Sequence, residues 1–188
     1  MSEIEEDFKK VIAILKRLDL NLEDPKRPIN FQTRLIIQKI VFLSKYMKIK
    51  LNNYTFSLYK NGPYSPGLTA DYYQNNDLIT TLASEVQLTP KEKGIVDNIK
   101  NLILNHPLNI YHQADFLEAI STAYYFKYYN EALLDDELFE KTKAEKPYIS
   151  DKIVVIALNT IKKLLFKPEY LTEDIRKELA LWDNVNDE

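Results

Sequence analysis

Phe31-Gln-Thr-Arg-Leu-Ile-Ile-Gln-Lys-Ile-Val-Phe-Leu-Ser-Lys-Tyr-Met-Lys48 is apolar on most sides when wound as a helix. Leu35, Ile36, Ile37, Ile40, Val41, Phe42, Leu43, Tyr46 and Met47 leave one narrow stripe, at 100° per residue, for Arg34, Gln38, Lys45 and Lys48, with Lys39 elsewhere. A helix of that kind is a central, mostly buried element. Its expected window on solvent is basic, and that window reads either as a solvated face or as a binding face.

Upstream, Ser2 and Glu5 form a capping-box pattern, and Phe8, Val11, Ile12, Leu15 and Leu18 recur at helical spacing. This predicts a helix over 3–18, then a loop over 21–30 containing Pro25 and Pro28. Downstream, the alternation in Tyr54-Thr-Phe-Ser-Leu-Tyr-Lys60 predicts a strand. Asn61-Gly-Pro-Tyr-Ser-Pro-Gly67 is a dense turn cluster, in which Ser65-Pro66 looks like an N-cap with proline at the first helical position. A short helix to about Asn75 follows, then two short strands over 78–82 and 85–88.

Thr89-Pro-Lys-Glu92 is a second capping box, opening a helix that ends before Pro107. Further helices are expected over 113–129, from Ser150 to about 166, and from Thr172, the last with Ile175, Leu179 and Trp182 inward. The order predicts an α+β, predominantly α-helical fold. One domain is expected, with a winged-helix-like half over 1–89 and a helical half over 90–188.

Composition narrows the function. The 188 residues include no cysteine, which excludes thiolate nucleophiles, disulfides and cysteine-ligated metals. Three glycines leave no Gly-rich phosphate loop. No apolar run nears the ~20 residues that a bilayer span needs, and the acidic N-terminus lacks signal-peptide regions, so a soluble, cytoplasmic protein is expected. Thirteen tyrosines, several in the pairs 72–73, 124–125 and 128–129, suit either core edges or a stacking platform.

The net charge is −3, but between Pro25 and Ala70 there are eight Lys or Arg and no Asp or Glu, which leaves 17 basic and 28 acidic residues elsewhere. Such asymmetry points to a partner of defined sign, or to a basic segment folding against acidic parts of the same chain. The short helix after Ser65 carries Asp71 and no Lys or Arg, which argues against base reading in the major groove. His112, Asp115 and Glu118 at near-helical spacing make at most a weak metal set, and the carboxylate runs 3–7, 135–137 and 183–188 read as solvated ends. No G-x-S-x-G elbow is present.

Arg34-Leu-Ile-Ile-Gln-Lys-Ile-Val-Phe-Leu43, with Phe56-Ser-Leu-Tyr-Lys-Asn-Gly-Pro-Tyr-Ser65 and Leu68, resembles the YwgA family of prokaryotic proteins and the wider Panacea antitoxin group. Phe116–Tyr125 and Lys146–Ile153 with Ala157 resemble later family blocks, so the likeness runs from about 31 to 165. This chain departs from the pattern at Ile37, where leucine is usual before Gln-Lys, and at Asn61. The resemblance implies a noncatalytic interaction module of antitoxin or adaptor type, with a toxin or protease as the protein partner.

The candidate binding residues are Arg34, Gln38, Lys39, Lys45, Lys48, Tyr59, Lys60, Gly62, Pro63, Tyr64 and Ser65, with Tyr64 as an exposed anchor. No cofactor and no membrane contact are expected, and a homodimer is a further candidate partner state. The alternatives are a winged-helix nucleic-acid binder using segment 25–70 on phosphates, and a metal-dependent enzyme built on clustered carboxylates.

Overall fold

The computed structural model describes residues 6–20, 22, 29–165 and 171–183. The Ser2/Glu5 capping box, Lys26, Arg27, the two loop prolines and the acidic tail after Asp183 lie outside the described residues. The chain divides into two compact units, 1–100 and 101–188. Both are mainly helical, and the first also holds a two-stranded sheet. No helix among the described residues is long and apolar enough to cross a membrane.

In the first unit α1 (Glu6–Arg17) and α2 (Phe31–Tyr46) precede a hairpin of β1 (Ser57–Tyr59) and β2 (Gly62–Tyr64). Then come α3 (Pro66–Gln74), α4 (Asn76–Thr80) and α5 (Pro90–Ile99). Helix α2 is the central element: every residue from Ile37 to Ser44 is buried. Phe8, Val11, Ile12 and Leu15 of α1, Leu68 of α3, and Val96 and Ile99 of α5 complete this core. Each such side chain contributes about 1.5–3 kcal/mol by leaving water. Lys10–Glu92 at 3.2 Å and Arg17–Asp97 at 2.6 Å join α1 to α5.

The expected caps at Ser65 and Thr89 form: Ser65 accepts from Leu68 N–H, and Thr89 and Glu92 make a reciprocal capping box. Asn30, which was not singled out, caps α2 by accepting from Thr33 N–H. With so few glycines, α1, α2 and α4 instead end near Asp19, Lys48 and Leu82 at positive φ (56°, 82° and 51°). Around Lys48, Ile49 N–H returns to Ser44 O and Lys48 N–H to Lys45 O, the pattern that turns a chain out of a helix.

Three expectations for this unit fail. Residues 78–82 are not a strand: α4 covers most of them, with Asn75 O accepting from Leu78 and Ile79 N–H to start the turn and the Thr80 and Thr81 hydroxyls bonding back to Asn76 O and Asp77 O. Residues 85–88 have no ladder partner and are not a strand; the extended stretch is held by Ser84 Oγ donating to Lys9 O at 2.7 Å. The turn cluster contains a second strand, paired through Ser57↔Tyr64, Leu58↔Pro63 and Tyr59↔Gly62. Gly62 takes φ 85°, open to glycine without strain, and proline is tolerated in a two-stranded ribbon where every strand is an edge.

The second unit packs α6 (Pro107–Tyr111), α8 (Asp135–Glu145) and α9 (Asp151–Leu165) on α7 (Gln113–Tyr129). Nine consecutive buried residues, Phe116–Tyr124, make α7 the counterpart of α2. Helix α10 (Glu173–Trp182) is tied to α9 by Asn159 Nδ2, which donates to Leu179 O at 2.8 Å and Asp183 Oδ1 at 2.6 Å. Leu179 points inward as expected, but Trp182 is half exposed. The acidic run 135–137 is exposed and forms the first turn of α8, with Glu137 accepting from Leu134 N–H at 2.9 Å.

Candidate functional site

One face of α2 carries Phe31, Arg34, Leu35, Gln38 and Lys39, the i, i+3, i+4, i+7, i+8 series of a helical stripe. One face of α3 carries Thr69, Tyr72 and Tyr73 at the same spacing. With Tyr59, Lys60, Asn61, Gly62 and Tyr64 of the hairpin, these residues enclose an open cleft of about 490 Å³. No Asp or Glu is among the described residues that line it.

The hairpin is fixed to α2 by two adjacent side chains. Gln38 Oε1 accepts from Ser65 N–H at 2.9 Å, and Gln38 Nε2 donates to Ser65 O at 3.2 Å and to Thr69 Oγ1 at 3.0 Å. The amide thus pairs with Ser65 as a neighbouring strand would. Beside it the fully buried Lys39 donates from Nζ to Pro63 O at 2.9 Å. These bonds give a structural reason for Gln-Lys on the helix and Gly-Pro-Tyr-Ser after it. The Gly62–Ser65 segment is therefore a wall, not a projecting loop.

Thr69 Oγ1 and Tyr72 Oη lie 3.1 Å apart and continue this polar floor. Burial pushes the Tyr72 phenol up, against hydrogen bonds to Thr69 and Gln38 that favour ionisation, so it stays a neutral hydroxyl. At the mouth, the Arg34 guanidinium lies 6.0 Å from the centroid of Phe31 and 5.7 Å from that of Tyr73, with Nη1 donating to Ile29 O at 2.7 Å. Stacking on rings holds a guanidinium flat while its remaining N–H groups keep their direction. Tyr59 and Tyr64 meet edge to face, 5.3 Å between centroids.

Of the residues expected to bind, Arg34, Gln38, Lys39, Tyr59, Lys60, Gly62 and Tyr64 line this cleft. Pro63 and Ser65 are buried behind it. The solvent-facing basic stripe does not form as expected. Gln38 is buried, Arg34 and Lys45 are half-buried, and Lys48 lies beyond the end of α2. Lys45 donates to Leu51 O at 2.6 Å, and burial lowers its pKa while Asp7 acts the other way. Tyr64 is half-buried rather than an exposed anchor.

Phe31, Leu35, Asn61, Thr69, Tyr72 and Tyr73 join the site without having been among the expected binding residues. The helical spacing of 69, 72 and 73, repeating that of 31, 34, 35 and 38, was the signal for most of them.

In the second unit, Glu118 accepts from Tyr148 Oη at 2.5 Å and lies 4.0 Å from the fully buried Lys146 Nζ. Burial lowers the Lys146 pKa, partly offset by Glu118, and raises that of Tyr148. Glu118 is thus committed to Lys146 and Tyr148 rather than to His112. Among the described residues no three His, Asp or Glu side chains gather to hold a metal. No family model, curated protein or solved structure matches the chain.

Proposed function

We propose that this chain is a noncatalytic binding module that holds a flat, anionic group of a macromolecular partner in the cleft between α2, the hairpin and α3. One observation carries the reading: Arg34, Lys39 and Lys60 share the cleft with Phe31, Tyr59, Tyr64, Tyr72 and Tyr73, with no carboxylate in its described lining. Aromatic walls lower the local dielectric and lengthen the reach of each positive charge. A cation there is repelled by charge, and a small hydrophilic anion leaves the rings unfilled. A flat anion satisfies both parts.

An antitoxin- or adaptor-type role, as the YwgA and Panacea resemblance implies, falls within this proposal, the protein partner then supplying the group. We also propose the winged-helix likeness for α1, α2 and α3, with the hairpin before the third helix rather than after it. Helix α3, without Lys or Arg, does not suit major-groove reading, so a nucleic-acid partner would meet the cleft instead.

The test compares naphthyl phosphate with naphthylmethylamine, flat probes of opposite charge, by calorimetry at low salt. The expected result is binding of the phosphate alone, weakened several-fold in Tyr64→Ala. Equal binding of both probes, or of neither, sinks the reading.

A further inference from the structure

We infer that the group held in the cleft is a nucleotide unit, its base among the tyrosines and its phosphate on Arg34 and Lys60. The inference rests on the reading of the cleft above and names its ligand. Three observations carry it.

Five aromatic rings surround the cleft, more face than one phenyl ring requires, and every nucleobase offers a π-face of the matching kind. The cleft also presents polar edges, from the Asn61 amide and from the Thr69 and Tyr72 hydroxyls, which sit on its floor. A base has donors and acceptors around its rim to meet such groups. A phenyl phosphate has no such rim to meet them. Finally, the positive groups stand at the mouth. Arg34 lies against the exposed rings of Phe31 and Tyr73, and Lys60 is exposed at the hairpin tip. A phosphate there would remain partly in water while the base goes in.

The cleft's volume, about 490 Å³, lies in the range of small-molecule sites, and it suits one nucleotide rather than a length of strand. The same chemistry serves a free mononucleotide and one residue of a single strand whose backbone leaves through the open mouth.

The experiment titrates the full chain with AMP, CMP, GMP and UMP by calorimetry, and with labelled ten-residue single-stranded DNA and RNA by anisotropy, at about 50 and 150 mM salt. Phenyl phosphate and a phosphotyrosine peptide serve as controls. Tyr73→Ala and Lys60→Glu, both at exposed positions, are checked for unchanged circular dichroism and measured alongside. Either variant should weaken nucleotide binding about tenfold. Mononucleotide binding identifies a free nucleotide as the ligand. Binding of oligonucleotides alone, with a log–log salt slope of about −1.4 that falls by about 0.7 in Lys60→Glu, identifies a single strand.

No nucleotide or strand binding at the lower salt overturns the inference, as does binding that neither variant changes. Phosphotyrosine binding without nucleotide binding also overturns it, hands the cleft to a protein partner, and leaves the function proposed above standing. Failure of naphthyl phosphate as well removes both.

Discussion

Four lysines of the second unit and the cations of α2 are held by different chemistry. Lys162 meets Asp135 at 2.5 Å, Lys143 meets Asp151 at 2.9 Å, Lys163 meets Asp183, and buried Lys146 has Glu118. In the first unit, Arg34, Lys39 and Lys45 each donate to a main-chain carbonyl: Ile29, Pro63 and Leu51. A carbonyl satisfies the N–H group but carries no net charge, so the cation's field survives the bond. A carboxylate cancels that field. These four lysines are therefore neutralised in place, whereas Arg34 and Lys39 leave positive potential at a cleft. The acid-free run of sequence persists in the described lining of the cleft, though not around Lys45, where Asp7 acts.

The largest effect expected from this contrast is in the second unit. Glu118→Ala removes the carboxylate that acts most on the buried Lys146 ammonium and should cost about 3–5 kcal/mol in urea unfolding. Lys39→Met removes charge and hydrogen bond together, leaving Pro63 O unmatched, and should cost about 1–3 kcal/mol. Equal losses would break the contrast, since carbonyl and carboxylate would then be equivalent holders.

A smaller effect follows from His106. Its Nδ1 accepts from Leu108 N–H at 3.2 Å, and its ring packs 4.8 Å from that of Phe116. Burial lowers its pKa, with Asp183 opposing and Lys163 assisting. A histidine whose folded pKa is depressed stabilises fully above its unfolded value of about 6.5, and that stability is lost as pH falls toward the folded pKa. The melting midpoint should therefore be flat from about pH 8 to 7 and decline as pH falls below about 6.5. His106→Asn keeps a capping acceptor and should flatten this decline; an unchanged decline would assign it to other groups.

The smallest effect tests the first unit's glycine-poor helix ends. Lys48 is exposed at φ 82°, where glycine is unstrained. Lys48→Gly should raise stability by about 0.5–1 kcal/mol, read as the denaturation midpoint, without altering probe binding in the cleft. Weakened binding would show that Lys48 acts at the site after all.

The parts legible in the sequence were those determined locally. Helices α2 and α7 are apolar around their circumference, and Ser65, Thr89 and Thr172 announce helix starts, two of them with proline following. Strand β2 was hidden because Gly62 and Pro63 are poor strand formers, and only its antiparallel partner makes it a strand. Helix α4 was misread because a short apolar run suits either structure until its polar neighbours are weighed.

At the site, the residue types were legible but the direction of their side chains was not. Gln38 was assigned to the solvent-facing stripe and Lys39 was expected to meet a partner, yet Lys39 and Gln38 turn inward to groups 24 and 27 residues away in sequence. Spacing along one helix carries no information about such distant acceptors.

The clamp of Gln38 and Lys39 on the hairpin has a consequence for timing. A partner meets walls already in place, so its arrival requires no prior rearrangement. Encounter should then follow diffusion, hastened at low salt by the positive mouth, and variants at the aromatic walls should act mainly on how long the partner stays.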